Sequence, residues 1–151
     1  MDAASVTCAT CRTRNEVPHE SAVVPQCSQC QAYLPWIANA TDLDFKAVVH
    51  NDNVLVCLHF WGAFANASRI MSPALDRVAA ERAGRLKVVK VNVEDGRRAQ
   101  SKHEARLVPT TVLLWRDEEI ARHAGALELP ALRRWVDQGL AAAIAASRGQ
   151  S

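Results

Sequence analysis

The sequence predicts an α/β domain, with a mixed central sheet flanked by helices, preceded by a small cysteine-rich segment. Three observations carry that expectation. Val54 to Phe60 is a nearly continuous apolar run, as in a strand buried on both faces, and a helical period follows it from Asn66 to Arg82. Leu86 to Val93 repeats the strand signature, and Thr110 to Ala124 adds a hairpin, so parallel and antiparallel pairing meet in one sheet. Finally, Cys8-Ala9-Thr10-Cys11 and Cys27-Ser28-Gln29-Cys30 set two C-x2-C pairs 15 residues apart ahead of all this. The 151 residues, 49% hydrophobic and 23% charged, suffice for one well-cored domain plus an appendage, at close to the ordinary globular composition.

Residues 1–36 are rich in Cys, Pro, Thr, Gln and Arg, and apart from Tyr33, Leu34 and Trp36 carry few large apolar side chains. The expectation is a ribbon over 1–36 without a core of its own, and the main domain over 37–148. Thr41 reads as the cap of a short helix in which Leu43, Ala47 and Val48 are apolar positions. Asn51-Asp52-Asn53 is a turn into the first core strand. In the helix from Asn66, Ile70, Met71, Leu75, Val78 and Ala79 keep the period, Pro73 predicts a kink, and Gly84 marks the end. After the second strand, Glu94 to Arg106 is expected to be helical. Arg116-Asp117-Glu118-Glu119 is the charged turn of the hairpin. Pro130 opens a last helix with Leu132, Trp135, Val136, Leu140 and Ile144 on one face.

A net charge of +2 from 18 basic and 16 acidic residues produces no single-sign field, so neither nucleic acid nor an anionic membrane is expected as partner. Arg12 and Arg14 alone do not make the ribbon a nucleic-acid reader. The apolar runs fall short of the ~18 residues of a membrane span. The first residues show no basic start with an apolar run, so the expected location is the cytoplasm.

In a reducing compartment, two C-x2-C pairs at this spacing read as a structural zinc site, each tight turn aiming two sulfurs at one point. Cys8, Cys11, Cys27 and Cys30 would fill all four positions of one Zn²⁺, closing the site to catalysis. Redox-active dithiols and free cysteines are the competing readings. Arg12 and Gln31 follow the second cysteine of each pair, where zinc knuckles often place Gly for a left-handed turn.

Phe60-Trp61-Gly62-Ala63-Phe64, followed by a helix containing Pro73, resembles the thioredoxin segment in which F-W-A-x-W precedes C-G-P-C. Val88 to Glu94 is similar to that family's second core strand, Val108-Pro109-Thr110 to its cis-proline loop, and Gly125-Ala126 to the end of its last hairpin. With a cysteine ribbon in front, the whole chain resembles the bacterial thioredoxin 2 group. The resemblance implies the thioredoxin fold, a bound zinc, and a groove for substrate peptide formed by Trp61, Phe64, Val108, Pro109 and Thr110. It also implies a dithiol at the start of the helix, and here the sequence departs from the family. Those positions are Ala65 and Ser68, with Asn66-Ala67 between them, and the family's buried acid is His59. Neither alanine nor serine exchanges with a disulfide, so no catalytic residue is assigned.

Two readings of function follow. The first is a redox-inactive module that holds a peptide or protein in the groove. The second is a protein-disulfide reductase of the family's kind, with the activity belonging to the parent family or moved to other cysteines. A redox sensor, in which oxidised thiolates release zinc, is a third. Cys57 and His59 share one face of a strand but stand ~7 Å apart, so they are expected as a core hydrophobe and a buried, hydrogen-bonded imidazole. Ser68 is expected to cap the helix or face solvent.

Overall fold

The computed structural model describes residues 2–149. Two short antiparallel strands, β1 (Ala3–Thr7) and β2 (Arg14–Pro18), open the chain, and β3 (Ile37–Asn39) joins the main sheet. Then come α1 (Phe45–Val49), β4 (Leu55–Trp61), α2 (Asn66–Glu81), β5 (Leu86–Asn92), α3 (Arg97–Lys102), β6 (Thr110–Trp115), β7 (Glu118–Ala124) and α4 (Leu129–Gly149). The five-stranded sheet has the order β3-β5-β4-β6-β7. Its first three strands are parallel and the last two pairings antiparallel.

Burial on both faces explains the unbroken apolar run of β4. Val56, Leu58 and Phe60 enter one core with Val48 and Val49 of α1 and Ala99 of α3. Leu55 and Cys57 enter the other, under Met71, Leu75 and Val78 of α2 and Leu132, Val136 and Leu140 of α4. Gly139 lets α4 approach the sheet, because a Cβ there would meet Leu113 Cδ1 at 2.5 Å. This is the thioredoxin fold, a mixed sheet with two helices on each face.

Several expectations change. The α1 helix takes Asp44, not Thr41, as its N-terminal boundary residue, and the Asp44 carboxylate accepts the Thr41 amide at 2.8 Å. Leu43 is 99% exposed, because it lies in the turn before the helix and not on its apolar face. Only Arg97–Lys102 of the segment 94–106 is helical. Its start is tied down by Asp42, whose carboxylate accepts the amides of Arg98 and Ala99 at 3.0 Å. The hairpin turn tightens to Arg116-Asp117, both at positive φ (50° and 69°), the backbone that fits the twist of a two-residue turn. The ribbon does have a small core: Cys8, Val17, Cys27, Leu34 and Trp36 pack together with Val54, which the main domain lends at the mouth of β4.

Lys87 binds the two parts together. It lies on β5 fully buried, and its ammonium donates to the carbonyls of His19, just past β2, at 2.5 Å and of Val48 in α1 at 2.6 Å. The same group sits 4.3 Å from the centre of the Trp36 ring.

Candidate functional site

The two C-x2-C pairs lie in turns that fold back on themselves. In the first, the Arg12 amide donates to the Cys8 carbonyl and the Cys8 amide to Thr13, both at 2.9 Å. In the second, Gln31 donates to Cys27 at 2.9 Å and Cys27 to Ala32 at 2.8 Å. Arg12 and Gln31 take φ of 67° and 65°, the left-handed backbone expected after each second cysteine. The result gathers all four sulfurs within 4.8 Å of one another, with Cys8–Cys30 at 3.6 Å and Cys11–Cys27 at 3.5 Å. A tetrahedron with ~2.3 Å metal–sulfur bonds has edges of about 3.8 Å, so the donor set fits a metal ion.

The electrostatics agree with that fit. The Cys30 and Gln29 amides, helped by Asn15, draw the Cys27 thiol down to about 6. Backbone amides of Cys11 and Thr10 lower Cys8 as well. Cys30 has the Ala32 amide in its favour, yet burial and the neighbouring sulfurs push it up to about 12. Thiolates so close repel one another unless a cation sits between them. Asn15 was not legible as a site residue. Its Nδ2 reaches Cys27 Sγ at 3.5 Å and its Oδ1 accepts the Ser28 amide at 3.0 Å, so it braces one knuckle from β2.

The second region is the junction of β4 and α2. Trp61 ends the strand half-buried, Ala65 is the N-terminal boundary residue of α2 with no side-chain cap, and Ser68 stands in the first turn. Ser68 does not face solvent: it is 2% exposed, and its hydroxyl accepts the Gly62 amide at 3.4 Å, turning it inward to close the loop. Phe64 is 70% exposed, its ring lying over Gly62, where a Cβ would come within 2.4 Å of it. The Val108-Pro109 peptide is cis, in the loop before β6. Pro109 and Thr110 are buried, and the Thr110 hydroxyl donates to the Leu107 carbonyl, so these two form the base of the loop. Phe64 and Val108 come together on the wall of one depression, whereas Trp61, Pro109 and Thr110 lie off it.

Beneath the junction, Cys57 is fully buried, and burial alone pushes its thiol up to about 12. His59 is buried too. Its Nδ1 pairs with the Thr111 hydroxyl at 3.1 Å, Nε2 has no partner among the described residues, and burial, with the Lys90 charge next door, pushes it down to about 4. Lys90 itself donates to Asp76 at 2.5 Å and to Ser72 at 2.8 Å. Cys57 and His59 show no hydrogen bond to each other.

A frame of β4, α2 and the loop before β6, set around a helix N-terminus, defines the thioredoxin class of domain. Residues 36–138 match the thioredoxin family, and the chain belongs to it. It is 31% identical to a thioredoxin of Haemophilus influenzae over 102 residues, 68% of this chain and 95% of the relative. It is 32% identical to thioredoxin C-3 of Corynebacterium nephridii over 138 residues, 89% of this chain and 94% of the relative. With thioredoxin 1 of a Nostoc species the identity is 28% over 103 residues, 68% of this chain and 96% of the relative. Among the described residues no helix is long and apolar enough to cross a membrane.

Proposed function

We propose that this chain is a thioredoxin-2-type protein whose dithiol has been replaced by Ala65 and Ser68, leaving a redox-inactive module that holds a peptide or protein partner in the old substrate groove. The single observation that carries the reading is the position of sulfur. At the start of α2 stand a methyl group and an inward-turned hydroxyl, while the nearest core thiol, Cys57, is fully buried and held protonated. Thiol–disulfide exchange needs an exposed thiolate in line with a substrate sulfur. The site for such a thiolate is kept and the thiolate is gone.

In this reading Cys8, Cys11, Cys27 and Cys30 hold one structural zinc, whose chemistry is to neutralise four thiolates and fix the ribbon, with no open position for a substrate. The match to thioredoxin C-3 supports the two-part arrangement, since 89% of this chain is more than the thioredoxin domain alone supplies. The place of work is a reducing compartment such as the cytoplasm.

The competing reading is protein-disulfide reduction, favoured by the names of the relatives. An insulin-reduction assay with dithiothreitol separates the two. The module reading expects no rate above the control without protein. Turnover that Cys57→Ser or Cys30→Ser abolishes would put the chemistry on a relocated thiol and end the module reading.

A further inference from the structure

Beside the start of α2 lies a depression of about 700 Å³ whose walls mix two kinds of side chain. Phe64, 70% exposed, and Leu107, 56% exposed, are apolar and uncovered. Arg97, Arg106 and Glu94 surround them, giving the wall a net positive charge. Among the described residues neither Arg97 nor Arg106 is paired with a carboxylate. Elsewhere on the domain Arg82, Arg122 and Arg133 are clamped by Asp137, Glu119 and Glu81, while Arg69 and Arg134, like the groove pair, have no carboxylate partner among the described residues. Val108, on the same wall, has an amide and a carbonyl that take part in no hydrogen bond among the described residues. A half-buried backbone with both groups free is an open edge for one more extended strand.

We propose that this groove selects extended acidic peptide segments, with an apolar side chain seated between Phe64 and Leu107, backbone pairing to Val108, and carboxylates against Arg97 and Arg106. The inference rests on the groove-binding reading above and adds the chemistry of its partner. Guanidiniums are forks matched to carboxylates, and a basic partner would meet a wall of net positive charge.

The test uses the full-length, zinc-loaded protein and three fluorescein-labelled peptides sharing a Val-Thr-Leu-Val core, flanked on both sides by two Glu, two Gln or two Lys. Anisotropy titrations at 50 mM salt should rank them Glu over Gln over Lys. Exposed pairs of this kind support about a 3- to 10-fold step from Gln to Glu, fading at 0.5 M salt. The Arg97→Glu/Arg106→Glu variant changes two exposed residues and should reverse the ranking without loss of α-helical circular dichroism. Equal binding of all three peptides would overturn the acidic preference and leave the groove reading standing. Tightest binding of the Lys peptide would overturn it too. Failure of all three to bind, with wild type and variant alike, would remove the groove reading and this inference together.

Discussion

The cysteine ribbon and the start of α2 are both built on tight loops closed by backbone hydrogen bonds, and only the ribbon carries sulfur there. In the ribbon, Cys27 Sγ receives the Gln29 amide at 3.4 Å and lies among three other sulfurs. At α2 the loop still closes, through Ser68 and Gly62, around an alanine methyl. The difference teaches that frame and reacting atoms are separable. Strand, helix and loop are held by the cores on either side of β4, in which the Ala65 side chain takes no part.

The largest effect should come from breaking the ribbon. Apparent binding free energies of ~10–16 kcal/mol are usual for structural zinc, and here the metal would also hold Trp36 against Lys87. Native mass spectrometry should find one zinc per chain, and Cys27→Ser or strong chelation should unfold residues 2–36 while the main sheet persists. Protein purified without chelator but free of zinc would refute the metal site.

Next in size is the attempt to abolish the contrast by introducing thiols at the start of α2. Ala65→Cys/Ser68→Cys should turn an undetectable insulin-reduction rate into a measurable one, because an uncapped helix N-terminus still favours a thiolate at position 65. Recovery should be incomplete, since Ser68 is turned inward and His59, beneath the junction, is a base held neutral. A double variant as inert as the wild type would show that the frame has degraded along with the cysteines.

What the sequence made legible divides along the same line. The strands β4, β5 and β6 could be read because burial on both faces writes itself as a continuous apolar run, and the four cysteines because their spacing is local. The strands β1, β2 and β3 could not, being three to five residues long and polar on one face or both. Leu43 misled because an apolar residue at helical spacing can belong to the preceding turn. Lys87 was invisible for a different reason. A lysine in a strand reads as a solvent-facing break, and the two carbonyls and the ring that receive it arrive from residues 19, 48 and 36 only on folding.

That lysine provides the third test, on the seam between the two regions. Lys87→Met should cost about 2–5 kcal/mol, as two buried carbonyls lose their donor. Burial pushes Lys87 down to about 8 from its ordinary 10.5. Between those values the unfolded chain binds a proton that the folded one does not, so stability should rise with pH from about 8 to 10.5. The variant should lose that rise, measured by urea unfolding at several pH values, and an unchanged slope would mean that Lys87 is not the titrating group.

The smallest effect concerns the second buried base, under the junction of β4 and α2. His59 is pushed down to about 4 by burial, with Lys90 adding to it, so it stays neutral in the fold while the unfolded chain's imidazole titrates near 6.5. Between those two values acidification protonates only the unfolded state, and stability should fall as pH drops from 6.5 to 4. The Thr111 hydroxyl is the sole partner of the imidazole among the described residues. Thr111→Val keeps the side chain's volume but leaves both ring nitrogens unpartnered, so it should cost about 1–3 kcal/mol at pH 7. Thr111→Ser keeps the hydroxyl and should cost less. His59→Phe removes the base and should flatten the slope between pH 4 and 6.5 without touching zinc content. If Thr111→Val is neutral, and His59→Phe leaves the acid slope unchanged, then His59 is not held neutral by this pocket, and the contrast between a sulfur-bearing ribbon and an uncharged α2 junction loses its second half.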